Sequence, residues 1–143
     1  MAQLYYEDVT EGMEIPSLVK HPTTQQLVKW AGASGDYNQI HYDKDFALKS
    51  GLPGVVVHGV LTFSFMAQMI TDWIGDKGTL KKLGCSYKGF LMPGEDLFCK
   101  GKVAKKYVKD AENCVECEVW AENPRGEKMT PGSATIVLPS RGR

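Results

Sequence analysis

The sequence predicts an α+β fold in which an antiparallel β-sheet wraps around one long central helix. Three observations predict it. From about His58 to Trp73 the chain is apolar on almost every helical face: Val60, Leu61, Phe63, Phe65, Met66, Met69, Ile70 and Trp73 leave no clean polar stripe. A helix of that composition is buried on most sides. The later part of the chain then changes to strict alternation. Leu97, Cys99, Gly101 and Val103 alternate with Phe98, Lys100 and Lys102, and Val115, Cys117, Val119 and Ala121 alternate with Glu116, Glu118 and Trp120. Each such run is a strand with one face toward a core. Turn signals at Pro93-Gly94 and Asn123-Pro124-Arg125-Gly126 divide this region into consecutive strands. One buried helix followed by a run of strands is an α+β pattern.

The elements follow in order. A lead-in and a short strand fill the segment before His21, punctuated by Gly12 and Pro16. Thr23 or Thr24 can N-cap a helix that runs past Lys29 and Trp30 to Ala33. Leu27, Trp30 and Ala31 share its buried face. Gly35 ends that helix and releases an irregular segment. Asp43 caps a second, short helix in DKDFALKS, closed by Gly51. Pro53-Gly54 turns the chain toward Val55-Val56-Val57, a brief extended approach to His58. After the central helix come a strand over residues 83–90, a strand starting near Asp96, a strand through Ala121, and a final one carrying Ala134, Ile136 and Leu138. A chain of 143 residues suits a single domain over 1–143. It contains no internal repeat, low-complexity tract or linker.

Composition excludes several classes. Seventeen basic and seventeen acidic residues give zero formal net charge, so no global field favours nucleic acid or an acidic membrane surface. The short runs Lys81-Lys82 and Lys105-Lys106 read as solvated faces. The apolar stretch from Val55 to Ile74 is broken by His58, Thr62, Ser64, Gln68, Thr71 and Asp72, which suits a buried helix rather than a membrane span. MAQLYYEDVTEG lacks the charged leader and apolar core of a signal peptide, and the expectation is a cytoplasmic protein. Cys114-Val115-Glu116-Cys117 is a lone CxxC with no second pair or nearby His, and positions three apart on a strand face opposite sides. The four cysteines therefore read as structural thiols, and no metal site is expected.

Chemistry concentrates in residues 35–59, GDYNQIHYDKDFALKSGLPGVVVHG. Asp36 and His41 would lie about 140° apart on a helix, so they can act on one molecule only from a loop. The intervening Tyr37-Asn38-Gln39-Ile40 does not read as helix. A carboxylate and an imidazole aimed at one point form a general acid/base pair. Gly59 opens the central helix, where a backbone N–H can stabilise an oxyanion, and the lack of a Cβ lets a ligand come close. Each residue also has a plainer reading. An Asp after a Gly is commonly a turn or capping group, and a single His a satisfied polar side chain. Asp43 reads as an N-cap, Asn38 and His58 as supports for the loop, and Tyr37 and Tyr42 as packing or pocket wall. Trp120 reads as an exposed aromatic on a face that otherwise carries Glu.

The run GDYNQIHYD followed by VVHGVL resembles the MaoC-like dehydratases, a family that includes the (R)-specific enoyl-CoA hydratases and 3-hydroxyacyl-thioester dehydratases. The family pattern is roughly Gly-Asp-x-Asn-Pro-x-His-x-Asp, a spacer, then Val-His-Gly-Met/Val-Leu. Gly35, Asp36, Asn38, His41, Asp43, His58, Gly59 and Leu61 match it, and Gln39 stands where the family usually has proline. Some members carry a serine in the central helix near the acyl site; an ungapped alignment places Ala67 there. The resemblance implies a hot-dog fold and a substrate that is a trans-2-enoyl thioester of coenzyme A or acyl carrier protein. It implies reversible hydration to the (R)-3-hydroxyacyl thioester, with Asp36 and His41 catalytic, Gly59 as oxyanion donor, Asn38 and His58 supporting, and no cofactor. It also implies a homodimer or higher homo-oligomer, with a heterodimer as the alternative assembly. A hot-dog thioesterase, or a non-catalytic acyl-binding subunit, is the competing function.

Overall fold

The apolar middle of the chain forms a helix, and the strands close around it. In the computed structural model, which describes residues 2–142, the elements are β1 (Glu14–Lys20), α1 (Thr24–Ser34), α2 (Lys44–Lys49), α3 (Gly59–Ile74), β2 (Thr79–Cys85), β3 (Leu97–Lys109), β4 (Glu112–Glu122) and β5 (Lys128–Val137). The five strands form one antiparallel sheet in the order β1-β3-β4-β5-β2. α3 packs against β1, β2, β3 and β4. This is the hot-dog arrangement.

The alternation in the sequence sets which face does the wrapping. Leu97, Cys99, Val103, Val115, Cys117, Val119, Ala121, Ala134 and Ile136 turn inward to meet Leu61, Phe65, Met66, Met69, Ile70 and Ile74 of α3. Each large aliphatic side chain buried this way contributes about 1.5–3 kcal/mol. α3 is less enclosed than its composition suggests. Val60 is half exposed, and Thr71 and Asp72 face solvent, so the helix buries one broad face and leaves a flank open.

Several boundaries differ from expectation for physical reasons. Pro16 lies inside β1, at an irregularity where the pairing with β3 shifts between Ile15 and Leu18. β1 is an edge strand, so a residue without an N–H is tolerated there. The strand expected over residues 83–90 sits earlier, at Thr79–Cys85. Beyond Cys85 the chain peels away, held by Ser86 N–H to Pro131 O (2.9 Å) and by Lys88 and Gly89 N–H to Met129 O (2.8 and 3.1 Å). Val55-Val56-Val57 is not a strand. Val56 donates to Ile40 O (3.0 Å) and Val57 to Leu91 O (2.8 Å), which ties the approach to α3 between two loops. Trp120 is half-buried rather than bare: Lys128 Nζ sits 4.2 Å above its ring, and its Nε1–H donates to Glu122 at 2.8 Å. Two of the basic-run lysines are committed within the fold. Lys81 Nζ donates to Glu112 at 2.6 Å, and Lys106 Nζ donates to Tyr6 O and Val9 O at 2.8 and 2.6 Å.

All four cysteines are free. Cys117 lies in the core, whereas Cys114 lines a groove on the outer face with Tyr107 and Glu116, so the CxxC pair points to opposite sides. Burial pushes the Cys99 and Cys117 thiols up to about 12. No helix among the described residues is long and apolar enough to cross a membrane.

Candidate active site

A chain of short side-chain-to-backbone bonds builds the loop that carries the polar groups. Thr23 Oγ1 accepts from Gln26 N–H and starts α1; Gly35, at φ +78°, ends it. The left-handed conformation there favours glycine, and it swings Asp36 out of helical register. Asp36 Oδ1 accepts from Asn38 N–H (3.3 Å), Asn38 Oδ1 from Ile40 N–H (3.2 Å), and Asp43 Oδ1 from Phe46 N–H (3.1 Å). Asp, Asn and Asp at alternate turns each cap the next short element, which is the local chemistry those residues favour. Gln39 sits in a single 3-10 turn, Gln39–His41, held by these bonds in place of a proline ring.

The loop delivers His41 inward. Its ring is 8% exposed, and its Nδ1–H donates to Val56 O at 2.7 Å. That bond fixes the tautomer and leaves Nε2 as the free acceptor. Nε2 lies 3.9 Å from Asp36 Oδ2, a carboxylate with 42% of its side chain exposed. The separation is too long for a direct hydrogen bond and suits a shared small molecule between them.

His58 lies behind both. It is fully buried and stacks on His41 with ring centroids 3.8 Å apart and 20° between planes. Its Nε2–H donates to the backbone carbonyl of Asp36 at 3.2 Å. Nδ1 is buried with no partner among the described residues, as fits an unprotonated ring nitrogen. Burial, and next the adjacent His41, lower the His58 pKa below its ordinary value. One neutral side chain thus supports the ring of His41 and tethers the main chain of Asp36.

Asp36, His41 and His58 each place one ligating atom within 4.8 Å of the others. The rings are nearly parallel, so their in-plane lone pairs run side by side instead of converging. His58 Nε2 is already engaged with the Asp36 carbonyl. The trio does not make a coordination shell.

α3 begins beside the loop. Gly59 N–H is the first amide of the helix and has no acceptor among the described residues. It carries the positive end of the helix dipole. Asp36, His41 and Gly59 all line one cleft of about 360 Å³. The rest of its wall includes Ile40, Leu52, Val56, Val57, Phe90 and Met129, so an apolar groove leads from the polar end.

Of the residues singled out in the sequence, Asp36, His41 and Gly59 line the cleft, His58 stacks behind His41 and Asn38 lies in the connecting loop, whereas the aromatic wall comes from elsewhere. Tyr37 and Tyr42 are 61% and 51% exposed and do not line the cleft; Tyr87 does. Tyr87 Cδ1 and Cε1 lie 2.9 Å from the position a Cβ would take on residue 59. The requirement for glycine at 59 thus comes from this ring in addition to any ligand. Ala67 is half-buried and is not part of the cleft wall. Thr62 and Thr130, both nearly buried, complete the lining. No periodicity singles out Tyr87, Thr130 or Met129, because they reach the cleft from segments distant in sequence.

Comparison with known proteins identifies the family. The model of the MaoC like domain matches residues 10–123. The chain is 26% identical over 111 residues to the fatty acid synthase beta subunit TOXC of Cochliobolus carbonum, which covers 76% of this chain and 5% of that protein. It thus spans about one twentieth of that fungal subunit. It is 24% identical over 144 residues to the (R)-specific enoyl-CoA hydratase of Rhodospirillum rubrum, covering 96% of this chain and 94% of that one. Among solved structures, the unliganded R-hydratase PhaJ1 from Pseudomonas aeruginosa superimposes with a TM-score of 0.86 at 21% identity, covering 97% and 88% of the two chains. The chain belongs to the MaoC-like domain family.

Proposed function

We propose that the protein catalyses reversible addition of water to trans-2-enoyl thioesters of coenzyme A or acyl carrier protein, giving (R)-3-hydroxyacyl thioesters. The observation that carries this reading is the placement of His41 Nε2 and the Asp36 carboxylate 3.9 Å apart, in one cleft with the unpartnered Gly59 N–H. Water is a weak nucleophile, and its attack on the β-carbon needs a base. His41 serves, because its Nδ1–H is engaged by Val56 O and its Nε2 is the free acceptor. Asp36 orients the water from the other side. The new C–O bond forms as the C=C π bond breaks, and the electron pair moves onto the thioester as an enolate. Gly59 N–H and the α3 dipole stabilise that oxyanion. The proton taken from water is returned through the pair to the α-carbon, so the step balances without a further reagent. Acid–base catalysis of this kind supplies about 10²–10⁴-fold in rate. Asn38 and His58 hold the loop in place, and the acyl chain extends along Ile40, Leu52, Phe90 and Met129.

Family membership and the enoyl-CoA hydratase activity for which the Rhodospirillum rubrum relative is named support the reading. Four free cysteines, three of them buried, suit a reducing compartment such as the cytoplasm. A second copy of the chain is the fitting partner. Val60, Tyr87 and Phe90 stand 50%, 52% and 39% exposed along the cleft, and β2 is an edge strand whose outer side has no strand partner among the described residues. Pairing two such edges would remove that liability and cover the apolar rim.

The test is product analysis with crotonyl-CoA. Loss of enoyl absorbance without thiol release, together with a 3-hydroxybutyryl product of R configuration, is expected. Release of free coenzyme A without hydration would assign the site to thioester hydrolysis instead.

A further inference from the structure

We propose that Tyr87 determines which substituents at the α-carbon of the thioester the site accepts. This rests on the hydratase reading above. In that reading Gly59 N–H binds the thioester oxygen, which places the carbonyl carbon about 4 Å from Gly59 N. The α-carbon is the next atom along. Tyr87 occupies the space beside Gly59 itself, against which the α-carbon would come to lie in that reading. Its Cδ1 and Cε1 lie 2.9 Å, and its Cζ 3.3 Å, from where a Cβ on residue 59 would stand. Carbon atoms in favourable contact stay about 3.5–4.0 Å apart, so the ring already closes the room next to Gly59.

The ring is not a loose surface group. It follows two residues after the end of β2, in the segment held by Ser86 N–H to Pro131 O and Lys88 N–H to Met129 O. Burial, and next the neighbouring Cys85 thiol, push the phenol up to about 12. Tyr87 therefore carries its proton at any working pH. With one edge against Gly59 and 52% of its surface open, it forms the wall of the cleft next to Gly59. A hydrogen on the α-carbon fits beside it. A methyl group directed toward the ring does not.

The experiment compares kcat/KM for crotonyl-CoA and its 2-methyl analogue in the wild type and in Tyr87→Phe, Tyr87→Leu and Tyr87→Ala. Wild type is expected to discriminate against the methyl analogue. Tyr87→Ala should raise the methyl-to-unsubstituted ratio by about tenfold or more, the scale of one methyl group in a tight pocket. Tyr87→Leu should fall between, and Tyr87→Phe should keep the wild-type ratio. Leu carries the test if the Ala variant does not fold. A ratio unchanged in the folded variants, while crotonyl-CoA is still hydrated, overturns the role of Tyr87 and leaves the hydratase reading standing. A uniform loss on both substrates overturns it equally, because a merely structural ring moves rates and not their ratio. No hydration of either substrate by wild type removes the hydratase reading, and this inference with it.

Discussion

His58 reaches both members of the proposed acid–base pair, through its ring on His41 and its N–H on the Asp36 carbonyl. Replacing it by Phe keeps a planar ring and removes the tether. We expect kcat/KM to drop about 10–10²-fold from the misplaced loop. The same substitution has a signature in stability. The folded chain lowers the His58 pKa below its ordinary 6.5, because the charged ring would be desolvated beside His41. Between pH 6.5 and the folded value the unfolded chain binds a proton that the native state refuses. Stability must therefore fall as pH drops through that window and level off below it, with a slope of at most about 1.36 kcal/mol per pH unit. Urea unfolding between pH 7 and 5 should show a shallower slope in His58→Phe; equal slopes would mean that His58 charges freely in the fold. At this scale the sequence was informative about the polar residues and silent about Tyr87. Asp36, Asn38 and Asp43 each bond a backbone two or three residues on, which local spacing encodes. Tyr87 meets Gly59 across 28 positions of chain, and only the folded sheet brings them together.

β3 and β4 are joined by a two-residue turn, Asp110-Ala111, with φ of +52° and +63° between the paired Lys109 and Glu112. Two positive φ values are the geometry of the hairpin turn that Asn-Gly favours. Alanine is strained there, since its Cβ crowds the neighbouring carbonyl. The double substitution Asp110→Asn/Ala111→Gly should stabilise the protein by about 1 kcal/mol, read as an increase in Tm of about 3 °C. A fall in Tm would show that Asp110 or Ala111 makes a contact that outweighs its backbone cost. In the core, Ile70→Ala on α3 should cost about 2–5 kcal/mol, since the side chain is fully buried against the sheet. Alternation made β3, β4 and β5 legible, and the Thr23 and Gly35 caps did the same for α1. The segment after Cys85 was not legible. Its residues carry a strand-like pattern, but they leave the sheet to line the cleft.

The whole molecule divides its labour between a closed interior and an open rim. Nearly all large apolar side chains of the sheet's inner face are sealed against α3. Val60, Tyr87 and Phe90 remain exposed around the cleft, next to an edge strand without an outer neighbour among the described residues. Exposed apolar surface gathered in one place marks an interaction site. Light scattering on the purified protein should return about twice the 15.8 kDa chain mass; a strictly one-chain mass at working concentration would remove the second copy from the account. The central helix could be read from its nearly unbroken apolar composition and β3, β4 and β5 from their alternation, because burial imposes those patterns directly. Assembly could not, because the residues that would meet a second copy belong to loops and an edge, where no period is imposed.

The most direct measurement is a double-mutant cycle on Asp36 and His41 with crotonyl-CoA as substrate. Asp36→Asn and His41→Gln should each lower kcat/KM by at least about 10²-fold with circular dichroism unchanged. The double variant should be little worse than the more damaged single one, as for groups that act as one unit. Full activity in either single variant, or losses that simply multiply in the double one, would contradict the claim that the two side chains share one water and one proton.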